Sequence, residues 1–262
     1  DGSGTIRELS PHDPSSADEF WATAGGMGLT GVITQATIRL LPIETSKILV
    51  QTRRFASLDE VMSQMVDGDH HHRYSVAWLD TVSPSGRGVL TWGDHAPVDV
   101  LPMPMRENPL AYAPQQRLGA PAVFPSGALN SATVRAFNEA WFRKHPERRD
   151  DELVSIAGFF HPLDGVRDWN RIYGPRGFVQ YQFAVPDSAG WLVEHTLRQL
   201  RAVGAPSFLT VLKRFGAGNP GPLSFPIPGW TLAVDVAAGN DRLASTLDRL
   251  DELVAENGGR LY

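Results

Sequence analysis

Val211-Leu212-Lys213-Arg214-Phe215 and Leu223-Ser224-Phe225-Pro226-Ile227-Pro228-Gly229-Trp230 decide how this chain is read, together with the Thr231-Leu232-Ala233-Val234-Asp235-Val236 that follows. Two prolines and a glycine between 223 and 230 allow neither helix nor central strand, because proline fixes φ and removes an N–H. The segment is a stiff connector that aims the strand after it at low entropic cost. The strand before it runs from Phe208 to Phe215 and is rich in β-branched and aromatic residues. Alternate side chains share a face, so Val211, Lys213 and Phe215 point one way and Leu212 and Arg214 the other. A cation between apolar neighbours has two readings: Lys213 lines a pocket wall, or it snorkels from a half-exposed strand.

The 262 residues, 42% of them hydrophobic, are enough for one large domain or two small ones with a real core. A formal net charge of −5 gives no global basic field for nucleic acid or an anionic membrane. With no cysteine there is no disulfide, thiolate nucleophile, iron–sulfur cluster or cysteine-ligated zinc. No apolar run approaches the roughly 20 residues of a membrane-spanning helix, and Asp1-Gly2-Ser3-Gly4 is not a signal peptide. A cytoplasmic or envelope-associated protein is expected. Both ends read as cut: Asp1 to Gly4 is turn chemistry before a strand at Thr5–Leu9, and Arg260-Leu261-Tyr262 begins another strand after the helix stop Asn257-Gly258-Gly259. The chain is expected to be part of a larger polypeptide.

Asp13-Pro14-Ser15-Ser16 opens a short helix through Ala22, and Gly25, Gly26, Gly28 and Gly31 follow within seven positions. Glycines so spaced permit positive φ and close backbone approach to a phosphate or flat cofactor, and tight turns use them as heavily. Val32–Leu41 predicts a strand closed by Pro42. From Ile48 the pattern is α+β: strands at Ile48–Arg54, Tyr74–Leu79 and Gly88–Trp92, and a helix over Ser57–Val66 capped by Ser57. His70, His71 and His72 are adjacent in sequence and cannot converge on one ion, so no metal is assigned. Residues 93–129 read as a long lid or binding loop. Asn130 caps a helix to Lys144 whose Val134, Phe137, Ala140 and Trp141 follow the core-facing spacing. Glu152–Phe160 predicts a strand ending at His161-Pro162, where the histidine is a structural hydrogen-bonder or a base.

In Phe178–Val185, Gln180 and Gln182 emerge on one face while Val179, Tyr181 and Phe183 cover the other. Two amides beside a pocket hold hydroxyls; on a solvated sheet face they do nothing specific. Ser188–Val203, ended by Gly204, and Asp241–Glu256 are amphipathic helices.

Phe20 to Gly31, Phe159 to Asp164, Trp169-Asn170-Arg171 with Tyr173-Gly174-Pro175, Gln180 to Phe183, and Leu223 to Trp230 together resemble the decaprenylphosphoryl-β-D-ribose 2-oxidase family, within the vanillyl-alcohol-oxidase-like flavoenzymes. The resemblance runs in order over nearly the whole chain. It implies an α+β fold: an antiparallel-sheet substrate domain over 45–256 with helices on one side, the end of a first FAD-binding segment over 1–44, and a return to the FAD domain at 257–262. It implies FAD as cofactor and oxidation of the 2-hydroxyl of a polyprenyl-phosphate pentose to the 2-keto compound. A partner keto-reductase would complete an epimerisation that makes the arabinose donor for cell-wall arabinan. Substrate contacts are implied at Lys213, Gln180, Gln182, Trp78, Phe160, Thr231 and Ala233. Cofactor contacts are implied at Gly25, Gly26, Gly28, Gly31, Ile33, Val211 and Tyr262. The catalytic base is unassigned, and the family's lysine would fall just beyond Tyr262. Ala233, Thr231 and Phe160 stand where the family carries cysteine, asparagine and tyrosine, which leaves room for a related sugar or aldonolactone oxidoreductase. A noncatalytic sugar-binding fragment is the reading from another class. The polyprenyl chain would bring peripheral membrane contact through Val100–Met105.

Overall fold

A computed structural model describes residues 2–114, 116, 118–121 and 127–262. Asp1, in the turn expected before Thr5, and seven residues of the 93–129 connection (115, 117 and 122–126) lie outside the described residues. The alternating strands close into one antiparallel sheet of β1 (Lys47–Phe55), β2 (Tyr74–Leu79), β3 (Gly88–His95), β5 (Arg148–Ser155), β7 (Phe178–Pro186), β8 (Thr210–Phe215), β9 (Gly229–Ala237) and β10 (Arg260–Leu261). Their spatial order is β10-β7-β9-β8-β2-β3-β1-β5. A separate two-stranded parallel pair joins β4 (Leu118–Gly119) to β6 (Val166–Arg167).

Period-2 alternation gives the sheet its core face. Leu232 and Val234 of β9, Phe183 of β7, Leu212 of β8 and Leu79 of β2 are buried against α2 (Leu58–Gly68), α6 (Trp191–Ala202) and α7 (Leu243–Glu256). These helices start and stop where their residues dictate: the Ser57 hydroxyl accepts from the Glu60 N–H, and Gly204 (φ +71°) follows the end of α6. The opposite face is covered toward β1 and β3 by two further helices. There the Arg54 guanidinium lies 4.9 Å from the Phe142 ring centroid of α4 (Ser131–Lys144), and Phe159 of α5 (Ile156–Phe160) abuts Gly93. The antiparallel sheet is as expected, and three core helices share one side while α4 and α5 take part of the other.

Several local expectations give way. Thr5–Leu9 and Val32–Leu41 form no strand: their backbone groups find no ladder, and Val32, Ile38 and Leu40 are 88%, 74% and 80% exposed. A strand pattern specifies a face, and without a neighbouring strand among the described residues it specifies nothing more. The strand expected over Glu152–Phe160 starts earlier and stops at Ser155, whose hydroxyl accepts from the Gly158 N–H at 3.0 Å and caps α5. In α4 the buried positions are Val134 and Asn138, whereas Phe137 is 46% exposed and stacks on Trp141. The 93–129 stretch contains the end of β3, a short 3-10 turn at Val98–Val100, and α3 (Met103–Arg106). The first helix, α1, spans Ala17–Ala24, close to its expected place.

Candidate functional site

The polar face of the sheet is built by register. Gln182 on β7 pairs with Ala233 on β9, Ala233 with Val211 on β8, and Val211 with Trp78 on β2. Directly opposed residues of antiparallel strands share a face, so these four form one row, about 14 Å long at ordinary strand spacing. On one side of the row Thr231 pairs with Lys213; on the other Gln180 pairs with Asp235. Six residues drawn from separate stretches of sequence are thus brought together: Lys213, Gln180, Gln182, Trp78, Thr231 and Ala233, with Val211 among them.

Hydrogen bonds set what each presents. Gln182 Nε2 donates to Thr231 Oγ1 at 3.3 Å, and Gln180 Nε2 donates to Asp235 Oδ1 at 2.8 Å. Trp78 Nε1 donates to the Phe208 carbonyl at 2.8 Å, which fixes the indole. Lys213 is exposed and makes no hydrogen bond or ion pair among the described residues, leaving its ammonium for a ligand oxygen. Thr231 and Asp235 are each 2% exposed. Burial pushes the Asp235 carboxyl up from its ordinary range, against the opposing effect of the Gln180 hydrogen bond. Beside it Tyr173 stacks on Phe178 at 4.4 Å, and burial together with the charge of Asp235 pushes its phenol up as well.

The proline connector closes one end. Its Phe225 meets Phe215 of β8 at 5.8 Å and Tyr262 at 5.3 Å between ring centroids. Tyr262 N–H donates to the Gln182 carbonyl at 3.1 Å, and Arg260 bonds the Ser224 and Pro226 carbonyls. Gly229, where the connector enters β9, has φ +143°, and a Cβ there would lie 2.2 Å from the Val185 carbonyl oxygen.

The remaining predicted positions stand apart. Phe160 packs edge-on against Tyr74 at 4.8 Å, over the far end of β2 from Trp78. Gly25 is the C-cap of α1, Gly28 takes φ +78°, and Gly31 and the exposed Ile33 follow in the segment without a ladder. The helix before this turn approaches the segment leading to the connector: the carbonyl of Trp21 lies 3.6 Å from where a Gly221 Cβ would sit. His72 pairs with Asp94 at 2.7 Å, and His161 caps α5. Among the described residues no helix is long and apolar enough to cross a membrane, and Met103 is 73% exposed. Sequence reasoning missed Asp235 and Tyr173. The signal for Asp235 was its place two residues beyond Ala233, a carboxylate inside an apolar strand.

No family model matches the chain. Among curated relatives, the decaprenylphosphoryl-beta-D-ribose oxidase of Mycolicibacterium smegmatis is 42% identical over 265 residues, which cover 99% of this chain and 56% of that protein. An uncharacterized protein in the mprA 5′ region of Streptomyces coelicolor is 36% identical over 254 residues, covering 92% of this chain and 68% of its own. The chain therefore spans about half the length (56%) of the first of these relatives.

Proposed function

We infer that this chain, which belongs to the decaprenylphosphoryl-β-D-ribose oxidase family, supplies the substrate-facing sheet of an FAD-dependent oxidase of a polyprenyl-phosphate pentose. The observation that carries the reading is the row Gln182–Ala233–Val211–Trp78 with Lys213 and Gln180 on either side of it. Composition does not place those residue types together; only the register of four strands does.

The residues fit the cofactor by shape. Ala233 and Val211 leave a low apolar strip between the amides of β7 and the indole of Trp78, which suits a flat ring. Gly25 and Gly28 have nothing within 4 Å of an added Cβ, so their backbone is open to close approach by a phosphate or ring edge. Val211 and Tyr262 on the sheet, and Gly25, Gly26, Gly28, Gly31 and Ile33 in the N-terminal segment, would hold the cofactor. When bound, the flavin supplies a two-electron acceptor for the hydride leaving the sugar carbon. Lys213 donates to an oxygen of the sugar or its phosphate, the glutamines engage hydroxyls, and Trp78 bounds the space. The 2-hydroxyl would become the 2-keto group by giving its C–H hydride to the flavin and its O–H proton to a base, and a separate reductase would consume that ketone. Thr231, through its hydrogen bond with Gln182, tunes which pentose is accepted.

The test is the visible absorption spectrum of the full-length protein with and without added FAD, followed by turnover of a polyprenyl-phosphoryl pentose. Bound-flavin bands and ketone formation, both measured again in Lys213→Ala, are expected to show flavin retained and turnover lost. Absence of flavin bands under saturating FAD would overturn the reading.

A further inference from the structure

Asp235 is a buried carboxylate to which the proposed function gives no part. It is 2% exposed, so no ligand on the open face can touch it, yet one of its oxygens accepts from Gln180 Nε2 at 2.8 Å. Its other oxygen is buried without a hydrogen-bond partner among the described residues, as is the hydroxyl of Tyr173. A core built for stability alone would not keep a carboxylate there, because an unsatisfied buried polar atom costs about 1–3 kcal/mol. Asp235 also has the geometry to control its neighbour. An ionised carboxylate only accepts, so the Gln180 amide must turn its NH2 toward β9 and its carbonyl oxygen outward. Gln180 is itself exposed on the open face, in register with Asp235. Gln182 is anchored by its NH2 in the same sense, to Thr231.

We propose that Asp235 is a positioning residue: it locks the Gln180 amide with its carbonyl oxygen toward the site, so that the sheet presents an acceptor to a donating sugar hydroxyl. The consequence for recognition rests on the pentose-oxidase reading; the lock itself does not. Substrates whose hydroxyl at that point is absent or replaced by an acceptor should lose the benefit of Gln180, because two acceptors face each other.

The experiment uses the full-length protein in two arms. In the first, without ligand, the side-chain NH2 signals of Gln180 are identified in a 15N-edited NMR spectrum by their loss in Gln180→Leu. They are expected to shift with pH in the wild type as Asp235 titrates and to stay still in Asp235→Asn. Signals that do not move with pH in the wild type would overturn the lock, and that measurement needs no folded Asp235 variant. In the second arm, KM for a polyprenyl-phosphoryl pentose is expected to rise about three- to tenfold in Asp235→Leu, which removes the acceptor and so one hydrogen bond, with kcat within about twofold. In the Gln180→Leu background the same substitution is expected to add nothing, since the residue it positions is gone. An equal penalty in both backgrounds would mean that Asp235 acts structurally, and would overturn the proposal. Wild-type protein that turns over no pentose while the amide signals titrate as expected would refute the oxidase reading and leave the lock supported.

Discussion

On β9, Trp230, Leu232, Val234 and Val236 turn toward α2, α6 and α7, while Thr231, Ala233 and Asp235 turn toward the opposite side of the same strand. The first set is sealed by area: a fully buried Leu, Val or Phe contributes about 1.5–3 kcal/mol. The second set includes two polar residues that are just as buried, Thr231 and Asp235, and each is answered by a glutamine from β7. Beside them Lys213 stands exposed without a partner among the described residues. One strand therefore separates holding the fold from meeting a ligand by nothing more than the two-residue period of its side chains. Substitutions on the two faces should differ in kind as well as size.

The sharpest break is in the core. Phe183, which is fully buried, faces α7 and α6 from β7. Phe183→Ala is expected to destabilise by about 3–5 kcal/mol, since it removes contacts and leaves a cavity. At about 2–4 °C per kcal/mol, the melting temperature should fall by roughly 10 °C. A loss no larger than that of Gln182→Ala, one residue away on the other face, would break the comparison. Gly229→Ala should come next, at about 3 kcal/mol. The position combines φ +143° with a Cβ that would lie 2.2 Å from the Val185 carbonyl oxygen, so both torsion and contact are unfavourable. Thermal unfolding of the purified variant measures it, and an unchanged melting temperature would mean that the entry into β9 relaxes freely.

Much of the core face was legible before the structure. The alternation in Phe178–Val185 and Thr231–Val236, the caps at Ser57 and Asn130, and the stop at Gly204 are local signals, and each fell where expected. The site was less legible, because it depends on which strands are neighbours. Trp78 and Val211 lie 133 positions apart in sequence and pair only because β2 lies beside β8. No periodicity encodes that neighbour, and only the family resemblance placed Trp78, Thr231 and Ala233 together. Asp235 was passed over for the opposite reason: the alternation is so regular that its carboxylate reads as an ordinary outward residue, although its place in an apolar strand marks it. Val32–Leu41 shows the converse failure, a convincing strand pattern whose partner is not among the described residues.

Asp235 sharpens the comparison through pH. Its carboxyl is raised by burial, so the folded chain holds that proton to a higher pH than the unfolded chain does. Below the unfolded carboxylate range both states are protonated. Above it the unfolded chain has lost the proton first, so fewer protons are bound in the unfolded than in the native state and stability falls as pH rises through the folded pKa. Asp235→Asn carries no such proton. Melting temperatures of the two proteins measured from about pH 4 to 8 should diverge as the pH rises, with the wild type losing ground by a few degrees. Parallel curves would place the carboxyl in an ordinary solvated range and remove the contrast between the faces at this position.

Lys213→Ala should have the smallest effect on stability. The side chain is exposed, and among the described residues it makes no hydrogen bond or ion pair, so its removal exposes no buried partner and opens no cavity. A change within about 0.5 kcal/mol is expected, as for other surface substitutions free of special contacts. Ligand binding should behave in the opposite way, since an ammonium with no internal partner is fully available to an anionic or hydroxyl oxygen. Measuring denaturant midpoint and ligand affinity on the same preparation separates the two. A Lys213→Ala protein that is clearly destabilised would mean that the cation supports the fold, and would move Lys213 from the binding face's account to the core's.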